Sequence, residues 1–310
     1  MKRAAFDIGS NTVRLLVSEQ RDGKWNQVHY RHKITRLSGK FDGNLHPDSI
    51  NRTVAAIAEF ADEARAHGAT ELRASCTGVT RKASNTSEFL NLAEKTAGLR
   101  PVVISGEQEA RLTALGAVEV TGYRRDPFVL FDIGGFSTEI IAIKNGEPVS
   151  VKSHNIGVVR LCEDVSMSDP PTTEQLARMD AVLREPMRQE IERVRNLVPE
   201  PMHLVGTAGT ATTLAAMAQN LDQYDFAKVE GYRLKQRDLA YLQQLLVGMK
   251  ARLRLMGFPS LEPGREDVII PGTQICLALM EFLGQEEIHV TNGGILEGLI
   301  HAESFLESEV

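Results

Sequence analysis

Cysteine is nearly missing from this chain: 310 residues hold three, Cys76, Cys162 and Cys276, and a single Trp. The three are far apart, odd in number and form no C-x-x-C pair. That pattern excludes a disulfide framework or zinc ribbon and implies reduced, buried thiols in a cytoplasmic protein. Long apolar runs are missing too, and nothing approaches the ~20 residues that cross a bilayer. Lys2 and Arg3 lead straight into a strand ending at Asp7, so no signal peptide and no membrane partner are expected. An excess of positive charge is absent. The net charge is −6, which argues against nucleic acid as a partner. No glycine-rich segment reads G-x-x-x-x-G-K-[ST] or G-x-G-x-x-G, so the P-loop and dinucleotide fingerprints are excluded as well.

What is present is the composition of an ordinary globular protein, 42% apolar and 25% charged, long enough for two domains. Charge is uneven along it. Residues 1–120 carry 17 Lys and Arg against 14 Asp and Glu, the remainder 18 against 27. The basic stretch "RDGKWNQVHYRHKITRLSGK" reads either as a solvated hairpin face or as a local attraction for an anion.

The spacing predicts a strand over Lys2–Asp7, a Gly9-Ser10-Asn11 turn, a strand over Thr12–Glu19, an Asp22-Gly23 turn and a strand near Trp25–Tyr30. A helix over Pro47–His67 follows. Strands at Glu71–Ala74 and Pro101–Ile104 flank a helix near Glu88–Ala97, and the next helix opens with Ser105 as N-cap and Gln108 in the capping box. After "TGYRRDP" the pattern restarts. Strands are expected at Phe128–Asp132, Glu139–Lys144 and Pro148–His154. A long helix over Thr173–Leu197 contains Pro186, read as a kink or break. Strand Met202–Val205, helices Thr210–Gln219, Lys235–Leu255 and Asp267–Leu283, strand Glu287–Thr291 and a last helix to Phe305 complete the chain. A meander followed by alternating helices and strands, twice, implies two related α/β domains, 1–124 and 125–310.

Two stretches are near copies: "FDIGSNTVRLL" from Phe6 and "FDIGGFSTEII" from Phe131. Glycine lets backbone N–H groups converge on an anion, and a strand-end aspartate can hold Mg²⁺. A tight hairpin needs glycine anyway, so either copy alone says little. A third glycine turn, "LVGTAGTATTLAAM", follows a strand and opens a helix, where an anion is favoured. Close packing is the other reason for Gly206 and Gly209.

Together with "CTGVTRKASNTSEF", "ISGEQEARL", "NIGVVRLCED", "GREDVIIPG" and "NGGILEG", these motifs resemble the exopolyphosphatase / guanosine pentaphosphate phosphohydrolase (Ppx/GppA) phosphatase family. They stand in family order and cover nearly the whole chain. The resemblance implies two duplicated RNase-H-like domains of the actin/Hsp70/sugar-kinase superfamily around a cleft. It implies Mg²⁺-assisted hydrolysis of the terminal phosphate of inorganic polyphosphate, or of pppGpp to ppGpp.

By position, Glu109 matches the family's general base. Asp132 and Glu139 are the metal candidates, with Glu139 also positioning water, and the three carboxylates are expected to form a cluster that a cation ties together. The first phosphate set is Asp7, Gly9, Ser10, Asn11, Thr12 and Arg14, joined by Arg81. The second is Gly134, Gly135, Ser137 and Thr138, and the third Gly206, Thr207, Gly209 and Thr210.

Three departures stand out. Phe136 replaces the third glycine of the second turn, and its ring is expected to point into the domain. Leu296 stands where the family has arginine. Long members continue into a helical domain, so short chains or a nucleotide are the expected substrates here. Two other readings stay open: a polyphosphate or (p)ppGpp sensor with little turnover, and a small-molecule kinase or ATPase of the same superfamily. The apolar face of the last helix is compatible with packing on the first domain and with a homodimer.

Overall fold

A computed structural model describes residues 1–303. The chain divides into two compact units: Met1–Glu119 together with the residues from Ile295 on, and Val120–Gly294.

In the first unit, β1 (Lys2–Ile8), β2 (Thr12–Arg21) and β3 (Lys24–Ile34) form an antiparallel meander. Then come α1 (Pro47–Ala66), β4 (Glu71–Cys76), α2 (Thr86–Ala97), β5 (Val102–Val103) and α3 (Gly106–Thr121). The sheet order is β3-β2-β1-β4-β5, with β4 parallel to β1 and β5 parallel to β4. Helix α1 presents Ile50, Val54, Ile57, Phe60, Ala61 and Ala64, all buried, at the spacing of one helical face. That stripe packs with α2 on Ala4, Phe6 and Ile8 of β1. Burying each large side chain contributes ~1.5–3 kcal/mol. Ala5 points to the opposite face. Strand alternation puts Asp7 on the Ala5 side, at the end of the strand, where it is buried.

The second unit repeats the device with β6 (Phe128–Ile133), β7 (Thr138–Lys144) and β8 (Glu147–His154). It continues with α4 (Val158–Asp164), α5 (Thr173–Leu197), β9 (His203–Thr207), α6 (Ala208–Ala218), the single turn α7 (Phe226–Val229), β10 (Arg233–Lys235), α8 (Gln236–Val247), α9 (Ala251–Gly257), α10 (Ile269–Leu283) and β11 (Glu287–Val290). The sheet order is β10-β11-β9-β6-β7-β8. The last helix, α11 (Ile295–His301), belongs to the first unit. Its Ile295, Leu296, Leu299 and Ile300 pack with Ala5, Leu16, Ile104 and Leu112. Leu296, the residue in place of the family's arginine, is therefore core. The expected end of this helix at Phe305 lies outside the described residues.

Both meanders turn through an Asx-Gly pair in the left-handed region: Asp22-Gly23 at φ 52° and 76°, Asn145-Gly146 at 55° and 78°. That is the hairpin turn whose twist matches the strands. Both carry a bulge at the same place, between Val17 and Ser18 in one and between Ala142 and Ile143 in the other. A shared bulge is a shared register, and it marks the duplication more specifically than the strand count does.

Four local expectations change. Pro186 does not break α5, because Met179, Leu183, Met187, Ile191 and Val194 hold one buried stripe across it. Packing along that stripe outweighs the missing N–H. The helix expected over Lys235–Leu255 is two, with a break at Gly248, the C-cap of α8. The strand expected over Pro101–Ile104 shrinks to two residues. Helix α4 was not foreseen. The basic β3 is matched by acid: Arg31 Nη1 lies 2.8 Å from Glu63 Oε1, and Lys33 Nζ 2.6 Å from Glu59 Oε2, both on α1.

No helix among the described residues is long and apolar enough to cross a membrane. The cysteines are free thiols. Burial pushes the Cys162 thiol up to about 11 and raises Cys76 and Cys276 as well, which disfavours the reactive thiolate at neutral pH.

Candidate active site

The expected residues gather into two sets, one in each unit. In the first, Gly9 N donates to Thr12 O at 3.0 Å and closes the turn between β1 and β2. Asp7 stands opposite Arg14 in the ladder. Arg14 Nε donates to Asp7 Oδ2 at 2.9 Å. Asp7 Oδ1 is buried and has no hydrogen-bond partner among the described residues, which leaves it able to accept from a ligand or cation. Asn11 is exposed at the tip, and its carbonyl accepts from Thr35 N and Arg36 N, both at 2.9 Å.

Ser10 ties this turn to the segment that carries Arg81. Its Oγ accepts from Val79 N at 2.9 Å. Val79 lies in a short 3₁₀ turn, Gly78–Arg81. Gly78 has φ +64°, and a Cβ there would run into Ser10 Oγ, so only glycine fits. From that turn Arg81 Nη1 donates to Ile104 O at 3.2 Å and to Glu109 Oε2 at 2.7 Å. Glu109 sits in the first turn of α3, which opens as expected on Ser105: Gln108 N donates to Ser105 Oγ at 3.1 Å, and Ser105 N to Gln108 Oε1 at 2.8 Å. The capping box thus fixes the rotation of α3 and with it the direction of Glu109. Both side chains of the Arg81–Glu109 pair are one-third exposed.

In the second unit, Gly134 N donates to Ser137 O at 2.9 Å, the same closure as in the first turn. Here Asp132 stands opposite Glu139. Glu139 Oε1 accepts from Ser137 Oγ at 2.8 Å and from Ser153 Oγ at 2.7 Å. The start of α4 clamps the turn from behind. Val158 N donates to Gly134 O at 3.0 Å and Val159 N to Gly135 O at 2.8 Å. With these carbonyls turned back, the N–H groups of Gly135 and Phe136 hold no partner among the described residues. Phe136 is 60% exposed, so its ring does not point into the domain. Its φ is not in the left-handed region, and a side chain is tolerated there without strain.

The expected threonines lie beneath the surface. Thr138 Oγ1 donates to Ile156 O at 2.6 Å, Thr207 Oγ1 to Gly293 O at 2.8 Å, and Thr210 Oγ1 to Ile133 O at 3.0 Å. All three are buried, and their hydroxyls pin the loops together. At the third turn the two glycines differ. A Cβ on Gly206 would meet the Phe131 ring at 2.6 Å, Ala211 Cβ at 2.9 Å and Ile288 at 3.0 Å, so that position is packed. A Cβ on Gly209 would meet the guanidinium of Arg265. Ala208, between Thr207 and Gly209, has φ 60°, a costly conformation for a residue with a Cβ.

Sequence reasoning left Arg265 and Ser153 out. Arg265 comes from a loop pinned from below by the buried Arg254, whose Nη1 donates to Glu266 O at 2.7 Å and Nε to Leu246 O at 3.0 Å. Arg265 Nε donates to Glu262 Oε2 at 3.0 Å, and its guanidinium stands beside Gly209 at the positive end of α6, where an anion is favoured. The only signal in the sequence was the "GREDVIIPG" motif.

The expected three-carboxylate cluster draws on both units, Glu109 from the first and Asp132 with Glu139 from the second. Among the described residues no group of three or more His, Cys, Asp or Glu is arranged to hold a metal ion. What the second unit offers is two carboxylates side by side. That donor set fits Mg²⁺, which takes one or two carboxylates and completes its shell with water and phosphate oxygens.

The model of the Ppx/GppA phosphatase family matches residues 16–305. The chain is 34% identical to exopolyphosphatase 2 of Mycobacterium tuberculosis over 96% of either protein. It is 27% identical to the guanosine-5'-triphosphate,3'-diphosphate pyrophosphatase of Pseudoalteromonas translucida, covering 96% of this chain and 58% of that one. Among solved structures, the Ppx/GppA phosphatase of Aquifex aeolicus superimposes with a TM-score of 0.83 at 31% identity, over 97% of this chain and 98% of the other. The expected pair of actin-like α/β domains is the fold of these relatives.

Proposed function

The chain belongs to the Ppx/GppA phosphatase family, and we propose that it removes the terminal phosphate of inorganic polyphosphate, with pppGpp as the second substrate. One observation carries the reading. Asp132 and Glu139, two carboxylates in register, flank a glycine turn in which the N–H groups of Gly135 and Phe136 have no partner among the described residues. Two carboxylates beside unpartnered N–H groups suit a cation bridging to a phosphate. Polyphosphate is placed first because the exopolyphosphatase relative matches at full length.

In this proposal Glu109 orients the attacking water and takes its proton. Its contact with Arg81 keeps base and phosphate ligand together: the guanidinium has further donors for a phosphate oxygen while it holds the carboxylate. Arg14, Arg265 and the N–H groups of Gly135, Phe136 and the first turn of α6 take the non-bridging oxygens, where charge gathers as the anhydride breaks. Asp132 and Glu139 hold Mg²⁺, which neutralises charge on the phosphate when bound. Asp7, already neutralised by Arg14, is the scaffold of its turn.

The test is phosphate release, with Mg²⁺ present, from polyphosphates of graded length and from pppGpp side by side. Release from both, with Glu109→Gln lowering turnover by roughly 10²–10⁴-fold in a normally folded protein, is the expected result. Tight binding without release identifies a sensor. Phosphate transfer from ATP to a small acceptor identifies a kinase. Either outcome removes the hydrolase reading.

A further inference from the structure

Glu139 is held from one side. The two hydroxyls that reach it, Ser137 Oγ at 2.8 Å and Ser153 Oγ at 2.7 Å, donate to the same oxygen, Oε1. A carboxylate oxygen accepts along two lone pairs, so two donors fill Oε1 and leave Oε2 for whatever binds in front of it. Ser137 belongs to the glycine turn and is part of the phosphate cradle. Ser153 belongs to neither the cradle nor the core. It is exposed on β8, directly across the ladder from Glu139, and water would satisfy its hydroxyl equally well.

Register puts it there. The bulge between Ala142 and Ile143 shifts the pairing of β7 with β8 by one residue, and beyond it Ser153 falls opposite Glu139 instead of Lys152. Its neighbours Lys152 and His154 face the other way: they pair with Ile140 and Thr138, both fully buried. A cross-strand hydroxyl on an otherwise exposed edge strand therefore meets the one carboxylate the proposed chemistry needs held still.

We infer that Ser153 is a positioning residue for the reaction: it fixes the rotamer of Glu139 and keeps Oε1 occupied, so that Oε2 alone faces the substrate. This rests on the role of Glu139 proposed above. Ser153 touches no substrate and acts only through that carboxylate.

Four proteins and a control test it: wild type, Ser153→Ala, Glu139→Gln, the double variant, and Ser153→Thr. One charge-assisted hydrogen bond corresponds to about 10-fold in rate. Ser153→Ala is expected to lower kcat by that factor, with KM within about two-fold and the melting temperature unchanged. Ser153→Thr keeps the hydroxyl and restores kcat to within about three-fold of wild type. In the Glu139→Gln background, adding Ser153→Ala changes kcat by less than about two-fold, since a residue acting through Glu139 has nothing left to act on. A wild-type kcat for Ser153→Ala, or an undiminished effect in the Glu139→Gln background, overturns the inference. Unchanged turnover in Glu139→Gln alone overturns the role of Glu139 instead. A readout free of turnover is the side-chain carbon NMR signal of Glu139, expected to broaden or shift in Ser153→Ala and to stay put in Ser153→Thr; no change in Ser153→Ala also overturns the inference.

Discussion

The two glycine turns share a backbone and differ in one charge. In the first unit the ladder lines up Ser75, Asp7, Arg14 and His32 across four strands. In the second it lines up Thr207, Asp132, Glu139 and Ser153. Each row sits at the end of its strands, and each aspartate is the second of the four. The first row closes on itself, because Arg14 is bound to the buried Asp7. The second sets a glutamate where the first has an arginine, with only hydroxyls to hold it. Duplication supplied the frame, and one sign change separates a row with an arginine–aspartate pair from a row with two carboxylates.

The comparison is broken most directly by the same substitution at equivalent places. Asp132→Asn or Glu139→Gln is expected to lower turnover by ~10²–10³-fold, or ~3–4 kcal/mol of transition-state stabilisation, with no loss of stability. Relief of like charge should leave the melting temperature equal or slightly raised. Steady-state kinetics beside thermal melts decide it. A large fall in melting temperature with normal turnover would make this row structural and the contrast empty.

The first row should lose stability as well as turnover. Arg14→Leu leaves Asp7 buried and uncompensated, and a stability loss of ~3 kcal/mol by urea unfolding is expected. Arg14 is 30% exposed at its side chain, so solvent can soften the loss, and ~2 kcal/mol is the floor that still supports a closed pair. Glu139→Leu in the second row, which breaks no ion pair, should cost under ~1 kcal/mol. Equal losses at the two positions would erase the difference.

Most of this frame was legible in the sequence, for a physical reason. Strand alternation, Asx-Gly hairpins and glycine turns are local signals, so the meanders, the paired turns and the capping box at Ser105 could be read along the chain. Pro186 misled because its propensity is local while the stripe that keeps α5 intact is tertiary. The helix expected over Lys235–Leu255 runs past Gly248, which caps α8. In the site, Asp7, Glu109, Asp132 and Glu139 were visible from motifs. Ser153 was not, because its register depends on a bulge in a neighbouring pairing. Arg265 was not, because it reaches Gly209 from a distant loop held by Arg254. Thr138, Thr207 and Thr210 read as members of the phosphate sets, and their hydroxyls donate to loop carbonyls.

The smallest expected effect concerns the one side chain that most distinguishes the tips of the two turns. Asn11 and Phe136 occupy the same step after their glycines, and both are exposed. Phe136 buries little and strains nothing, so folding gives no reason for an aromatic ring there. Its N–H belongs to the proposed phosphate cradle, and a ring standing beside that N–H narrows the approach to it. Replacing it by the residue of the other turn, Phe136→Asn, should leave stability within ~0.5 kcal/mol. The expected response is in substrate preference: KM for long polyphosphate should fall by ~2–5-fold relative to that for short chains, about 0.4–1 kcal/mol of relieved crowding. Measured over a graded polyphosphate series, an unchanged ratio would mean that the ring stands clear of the substrate, and the two tips would then be equivalent despite their chemistry.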